Sequence, residues 1–162
     1  MPKVYLAGPD VFFPDAMNRA ERLKAQCQEL GFTGVFPLDA NLDLSWVPKG
    51  LQGYRIYEAN IGLIQGCDAV LANMSPFRGA SMDVGTAFEM GYGRALGKPV
   101  VGYTESRTEY RTRAVPDGLL VEDFEMVDNL MVHACTEDRI FSTVEQALRE
   151  LAKVLSLASP EG

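Results

Sequence analysis

Short apolar runs that take turns with helix-period stretches constrain this chain more than any other feature. Residues 4–6, 35–38, 69–72 and 99–103 are apolar at successive positions, the pattern of strands buried on both faces. Between them, residues 16–30 place Ala16, Ala20, Leu23, Cys27 and Leu30 at helical spacing, with Asp15 as the expected cap and Gly31 as the expected stop. Residues 54–66 carry Ile56, Ala59, Leu63 and Ile64 at the same spacing, and residues 83–96 and 143–155 read as two further helices. Residues 45–53 and 73–81 read as loops, and a polar stretch at 104–128 with several arginines shows no period. Strand and helix in alternation imply an α/β fold, a doubly wound parallel sheet with helices on both faces and right-handed crossovers. Residues 1–162 suit a single domain that buries about two thirds of its unfolded surface. No internal repeat is present, and the terminal SPEG reads as a frayed tail.

Composition removes several classes of function. No apolar run approaches the roughly 20 residues that span a bilayer, so no membrane partner is expected. The start MPKVYLAGPD enters a strand pattern at once, without a charged leader and cleavage site, and the expectation is a cytoplasmic protein. Cys27, Cys67 and Cys135 are scattered and His133 is the single histidine, which argues against a metal site and a disulfide framework. The cysteines read as small core residues. With 22 acidic against 15 basic residues, net −7, nucleic acid is disfavoured as a partner, whereas a small neutral ligand is not.

In open sheets of this kind ligands bind beyond the carboxyl ends of the strands, which draws attention to the loops after Leu6, Ala72 and Tyr103. The run CDAVLANMSPFRGASMDVGTAFEMGYGRALGK then places Asp83 and Glu89 at the start of a helix. Six residues rotate an ideal helix by about 600°, leaving the two side chains some 120° apart, so they converge only if Asp83 stands in the loop or the cap. Asp83 is therefore either a plain helix cap or a second acid. Glu89 lies between Phe88 and Met90 in a helix that also holds Gly85, Gly91 and Gly93. Each internal glycine costs roughly 1 kcal/mol relative to alanine, which suggests close approach to a strand or a ligand; the alternative is an ordinary exposed glutamate. Tyr5 and Asp10 flank a Gly-Pro turn followed by Phe12 and Phe13, polar groups beside aromatics that suit a flat base, although Tyr5 also fits as a core tyrosine. GPD has neither dinucleotide-fold nor P-loop spacing, and no cofactor is expected.

YLAGPDVFFPDA at the front, the CDAV…ALGK run and NLM at 129–131 together resemble the nucleoside 2-deoxyribosyltransferase family, in order along most of the chain. The similarity is closest to members with SPFRG before the catalytic helix, and it implies a flavodoxin-like or Rossmann-like sheet. By motif position, Glu89 resembles the family nucleophile, Tyr5 the tyrosine that orients it, and Asp83 the aspartate near base and sugar, a candidate for proton transfer. Asn129 and Met131 resemble residues that reach in from a neighbouring subunit, the asparagine towards the sugar 5′-hydroxyl. The resemblance thus implies homo-oligomers built from dimers, commonly hexamers, with sites completed across an interface, and deoxynucleosides and free nucleobases as the small-molecule partners. Asn60 stands where some members carry an aspartate thought to protonate the leaving base, so either Asp83 supplies that proton or Asn60 only orients the base. With Asp10 and Phe12, these residues make up the expected substrate contacts.

Breaking an N-glycosidic bond requires an anion beneath C1′ and relief of charge on the departing base. Glu89 is accordingly expected to form a covalent deoxyribosyl ester that a second base resolves with retention and ping-pong kinetics, with no metal required. Two alternatives remain. A deoxynucleoside 5′-monophosphate N-glycosidase would share the glutamate chemistry but need a phosphate site, for which Arg78 is a candidate; such hydrolases carry a serine and an arginine where this chain has GPDVFF. A non-catalytic nucleotide-binding module would have no use for Glu89 between apolar neighbours.

Overall fold

Along Lys3–Ala7 (β1) side chains alternate between the two faces of a sheet, Val4 and Leu6 to one side and Tyr5 and Ala7 to the other, and all four are buried. Burial on both faces is what the unalternated apolar runs require, and the neighbouring strands repeat it. Thr33–Val35 (β2), Ala69–Asn73 (β3), Val100–Tyr103 (β4) and Ile140–Phe141 (β5) join β1 in the order β2-β1-β3-β4-β5, every pair parallel. This is the flavodoxin-like order, in which connections diverge to opposite sides between β1 and β3. The molecule is a computed structural model that describes residues 1–158, so the expected SPEG tail lies outside the described residues.

Helices Ala16–Glu29 (α1) and Val144–Ala158 (α6) cover the Val4 and Leu6 face, with Ala20, Cys27, Leu148 and Leu151 in its core. Lys49–Gln65 (α2), Val84–Ala95 (α3) and Leu130–Cys135 (α5) cover the Tyr5 and Ala7 face through Ile64, Met90, Val132 and Cys135. A further short helix, Tyr110–Arg113 (α4), interrupts the long polar stretch. Among the described residues, no helix is long and apolar enough to cross a membrane.

Several boundaries differ from expectation for local reasons. The second strand ends at Val35, because Phe36 leads into a 3₁₀ turn at Pro37–Ala40, and Pro37 has no N–H for the ladder. Helix α2 starts at Lys49, so Gly50 and Gly53, expected in a loop, are helical. Asp15 stands at the N-cap of α1, but its carboxylate accepts from Arg19 Nε at 2.9 Å instead of capping the backbone. The two-residue β5 and six-residue α5 are too short to show any period. Cys27 and Cys67 are buried, as expected of core cysteines, and Cys135 is partly so.

Gly93 fixes the seat of α3. A Cβ there would lie 2.6 Å from Val70 Cγ2, so only glycine lets the helix settle onto β3. Gly91, by contrast, faces open space, so close approach explains one of these glycines and not the other.

Candidate active site

Tyr5 and Glu89, 84 positions apart in the sequence, come together in the fold. Tyr5 projects from the middle of β1, fully buried, and its hydroxyl donates to Glu89 Oε1 at 2.7 Å. Glu89 sits in the second turn of α3, which Gly93 brings down on β3. Burial lifts the Glu89 carboxyl to about 7; the Asp83 charge adds to the rise, and the Tyr5 hydrogen bond opposes it. Burial, and then the Glu89 charge, push the Tyr5 phenol far above its usual range, so it stays a donor. No hydrogen bond reaches Glu89 Oε2 among the described residues, which leaves one carboxylate oxygen held and the other available.

Asp83 is the N-cap of α3. Its Oδ2 accepts from the Thr86 backbone N–H and from Thr86 Oγ1, each at 2.9 Å. The cap position resolves the angular problem of a six-residue spacing, since Asp83 lies outside the helical rotation and its charge is felt at Glu89. Asp128, which the sequence did not single out, holds the preceding loop: it accepts from Ser81 Oγ, from Met82 N–H at 2.9 Å and from Asn129 N–H at 2.7 Å.

The other expected substrate contacts are more dispersed. Asp10 is buried but engaged, accepting from Arg19 Nη1 at 3.1 Å and from Asn73 Nδ2 at 3.0 Å. It lines a cavity of about 440 Å³ beside Arg19, Asn73 and Tyr103, towards α1 and away from Glu89. Neither Asn73 nor Arg19 was foreseen; the position of Asn73 at the carboxyl end of β3 was the available signal. Phe12 is exposed and stacks on Phe77 with ring centroids 5.5 Å apart, while Phe13, also exposed, packs under the Arg19 guanidinium at 3.8 Å. Asn60 on α2 has a buried Oδ1 without a hydrogen-bond partner, beside a cavity of about 320 Å³ lined by Met17, Leu38, Asn41, Leu44 and Ile56. Asn129 caps α5, accepting from Met131 N–H at 3.0 Å and donating to Glu122 at 2.6 Å, and Met131 is exposed.

The sequence model described as Nucleoside 2-deoxyribosyltransferase matches residues 4–131, from β1 through the NLM motif. The chain belongs to the nucleoside 2-deoxyribosyltransferase family. The family is enzymatic, and its fold recurs in a solved structure, the 2-desoxiribosyltransferase from Leishmania mexicana, at a TM-score of 0.80 and 30% identity, covering 94% of this chain and 98% of that one. A protein of Schizosaccharomyces pombe is 35% identical over 150 residues, 83% of this chain and 71% of the relative. A putative 2′-deoxynucleoside 5′-phosphate N-hydrolase from Thermofilum pendens is 26% identical over 153 residues, 94% of each chain. Proteins similar to this chain thus include one described as a deoxyribosyltransferase and one described as a putative deoxynucleotide N-hydrolase.

Proposed function

We propose that the protein is a nucleoside 2-deoxyribosyltransferase that moves 2-deoxyribose from a deoxynucleoside to a free nucleobase. The observation that carries the reading is the Tyr5–Glu89 pair, a glutamate with one oxygen held by a buried phenol and the other unbonded. Glu89 Oε2 attacks C1′, the C1′–N bond breaks, and its electron pair leaves with the base. The deoxyribosyl ester is then opened by a second base from the original face, so the β-anomer is kept over two inversions. Tyr5 keeps the carboxylate in register and favours its charged form. A sugar without the electron-withdrawing 2′-hydroxyl reaches its oxocarbenium-like state readily, and a single anion beneath it suffices. Asp83, already accepting two hydrogen bonds from Thr86, contributes charge and position next to that anion.

The assembly reading rests on two features. Asn129 caps α5 and Met131 lies in its first turn, exposed, as suits residues offered to a neighbouring copy. Tyr57 and Phe88 are exposed and, with the partly buried Tyr92, form an aromatic row across α2 and α3, larger than a lone surface apolar residue. A homo-oligomer with sites completed across the interface is the reading these features support.

The Thermofilum relative favours a second reading, hydrolysis of deoxynucleoside 5′-monophosphates. One experiment separates the two. The protein is incubated with deoxyinosine or thymidine, or their 5′-monophosphates, with and without adenine, beside a Glu89→Ala control, and products are followed by chromatography. Deoxyadenosine formed only with adenine and intact Glu89 establishes transfer. Base release that ignores adenine, and is stronger with 5′-monophosphates, establishes hydrolysis.

A further inference from the structure

Arg78 is the anomaly of the site region. Every other arginine among the described residues donates to a carboxylate or a backbone carbonyl, whereas Arg78 has neither. Its guanidinium instead lies 4.8 Å from the Phe77 ring centroid and 5.2 Å from that of Phe12. The backbone is strained to put it there: φ at Arg78 is +54°, in the left-handed region, at a cost of about 1–3 kcal/mol for a residue with a side chain. A hydrogen bond from Phe77 N–H to Ser81 carbonyl at 3.0 Å closes the turn and leaves Arg78 near its tip. The Phe12–Phe77 stack joins the loop after β1 to the loop after β3, the two strands between which an open sheet of this order binds its ligand.

The geometry points to Arg78 as the residue that selects 6-oxopurines, donating from its two parallel N–H groups to O6 and N7 of a base seated against Phe12 and Phe77. This rests on the proposed transferase reading and deepens it. A guanidinium with unspent donors matches the paired acceptors of hypoxanthine and guanine, whereas adenine presents its own amino donor at the 6-position. The contact also addresses the leaving group. When Glu89 bonds to C1′ and the C1′–N9 bond breaks, the electron pair spreads from N9 over the purine towards N7 and O6. Arg78 pairs with that anion, which takes its proton from water after departure. Asn60, with no proton to give, is not required as an acid.

The test compares deoxyinosine and deoxyguanosine with deoxyadenosine as donors in wild type and Arg78→Gln. Arg78→Gly, which relieves the positive φ, provides a folding control and should melt no lower than wild type. The expected result is that Arg78→Gln lowers kcat/KM for the two 6-oxopurine donors about 10- to 100-fold and for deoxyadenosine less than about 3-fold. An equal loss on all three donors, or no loss, overturns the assignment. The 5′-monophosphates of the same donors are assayed alongside, and a loss confined to them, which would make Arg78 a phosphate ligand, overturns it too. Calorimetric binding of hypoxanthine and adenine is measured in parallel. If wild type turns over no deoxynucleoside yet binds hypoxanthine in an Arg78-dependent way, the transferase reading falls and the base-selective role stands. Hypoxanthine binding that is indifferent to Arg78→Gln overturns that role whatever the turnover.

Discussion

The Tyr5 hydroxyl, buried at the centre of the sheet, donates to Glu89 across the gap between a strand and the helix packed on it, at 2.7 Å. A hydrogen bond to a charged acceptor is worth about 1.5–3 kcal/mol, and here it acts on the group proposed to attack. Tyr5→Phe removes the donor with almost no change of volume. The expected outcome is a fall in kcat of about 10- to 100-fold, together with an upward shift of the acid limb of the pH profile, because the lost bond was holding the Glu89 pKa down. An unchanged limb would show that the phenol only fills space.

Glu89 also ties activity and stability to the same pH window. Its carboxyl rises from 4.5 to about 7, so kcat/KM for the donor should climb through pH 7 as the nucleophile ionises. Stability should move the other way. Below about pH 4.5 both folded and unfolded forms are protonated and the shift contributes nothing. Between 4.5 and 7 the unfolded chain gives up a proton that the folded one keeps, so stability falls as pH rises, by on the order of 3 kcal/mol in full. Glu89→Gln should therefore melt close to wild type at pH 4 and clearly above it at pH 8, a difference that thermal melts at the two values measure directly.

Asp83 has two effects that substitution separates. Asp83→Ala loses the cap on Thr86 and should cost about 1 kcal/mol, read in denaturant titration. Asp83→Asn keeps a capping oxygen but removes the charge that raises the Glu89 pKa, so its kinetic acid limb should move down while stability changes little. If Asp83→Asn instead abolishes base release with the limb in place, Asp83 is the proton donor.

What the sequence made legible follows element length and locality. β1, β3, β4, α1, α3 and α6 carry enough residues for a period or a buried run to show, whereas β5 has two residues and α5 six, and neither announces itself. The start of α2 was hidden because Gly50 and Gly53 read as loop formers until tertiary contacts override propensity. Within the site, the convergence of Asp83 and Glu89 followed from local reasoning about a cap. The Tyr5–Glu89 contact spans 84 positions and came from motif resemblance, not from periodicity. The Asp10, Arg19 and Asn73 tie joins three separate elements through side chains alone, and nothing in a local pattern signals it.

Gly91 and Gly93 of α3 should respond oppositely to the same change. Gly93→Ala drives a methyl into Val70 Cγ2 and must lift the helix that carries Glu89, costing about 1–3 kcal/mol and much of the activity. Gly91→Ala meets open space in a helical backbone and should stabilise by about 0.5–1 kcal/mol with activity preserved. Thermal melts and transfer rates of both variants test the pair; a harmless Gly93→Ala would mean that the seat of α3 is not what fixes Glu89.

The aromatic row on α2 and α3 connects assembly to catalysis. Phe88, about half exposed, lies 6.0 Å from Tyr57 and 6.3 Å from Tyr92 by ring centroids, and it immediately precedes Glu89 in the chain. A surface that leaves two large aromatic residues, Tyr57 and Phe88, in solvent gains by covering them, and the proposed cover is a second copy. Phe88→Glu places a charge in that contact while leaving the fold's own core untouched. Light scattering should show the wild type as an oligomer and Phe88→Glu as a monomer. Transfer activity should drop by at least about 10-fold in the monomer if Asn129 and Met131 of one copy complete the site of another, as for loss of a substrate contact. A monomer that keeps full activity would place the whole site within one chain and remove the shared-site reading, and an unchanged oligomer would move the interface to another face.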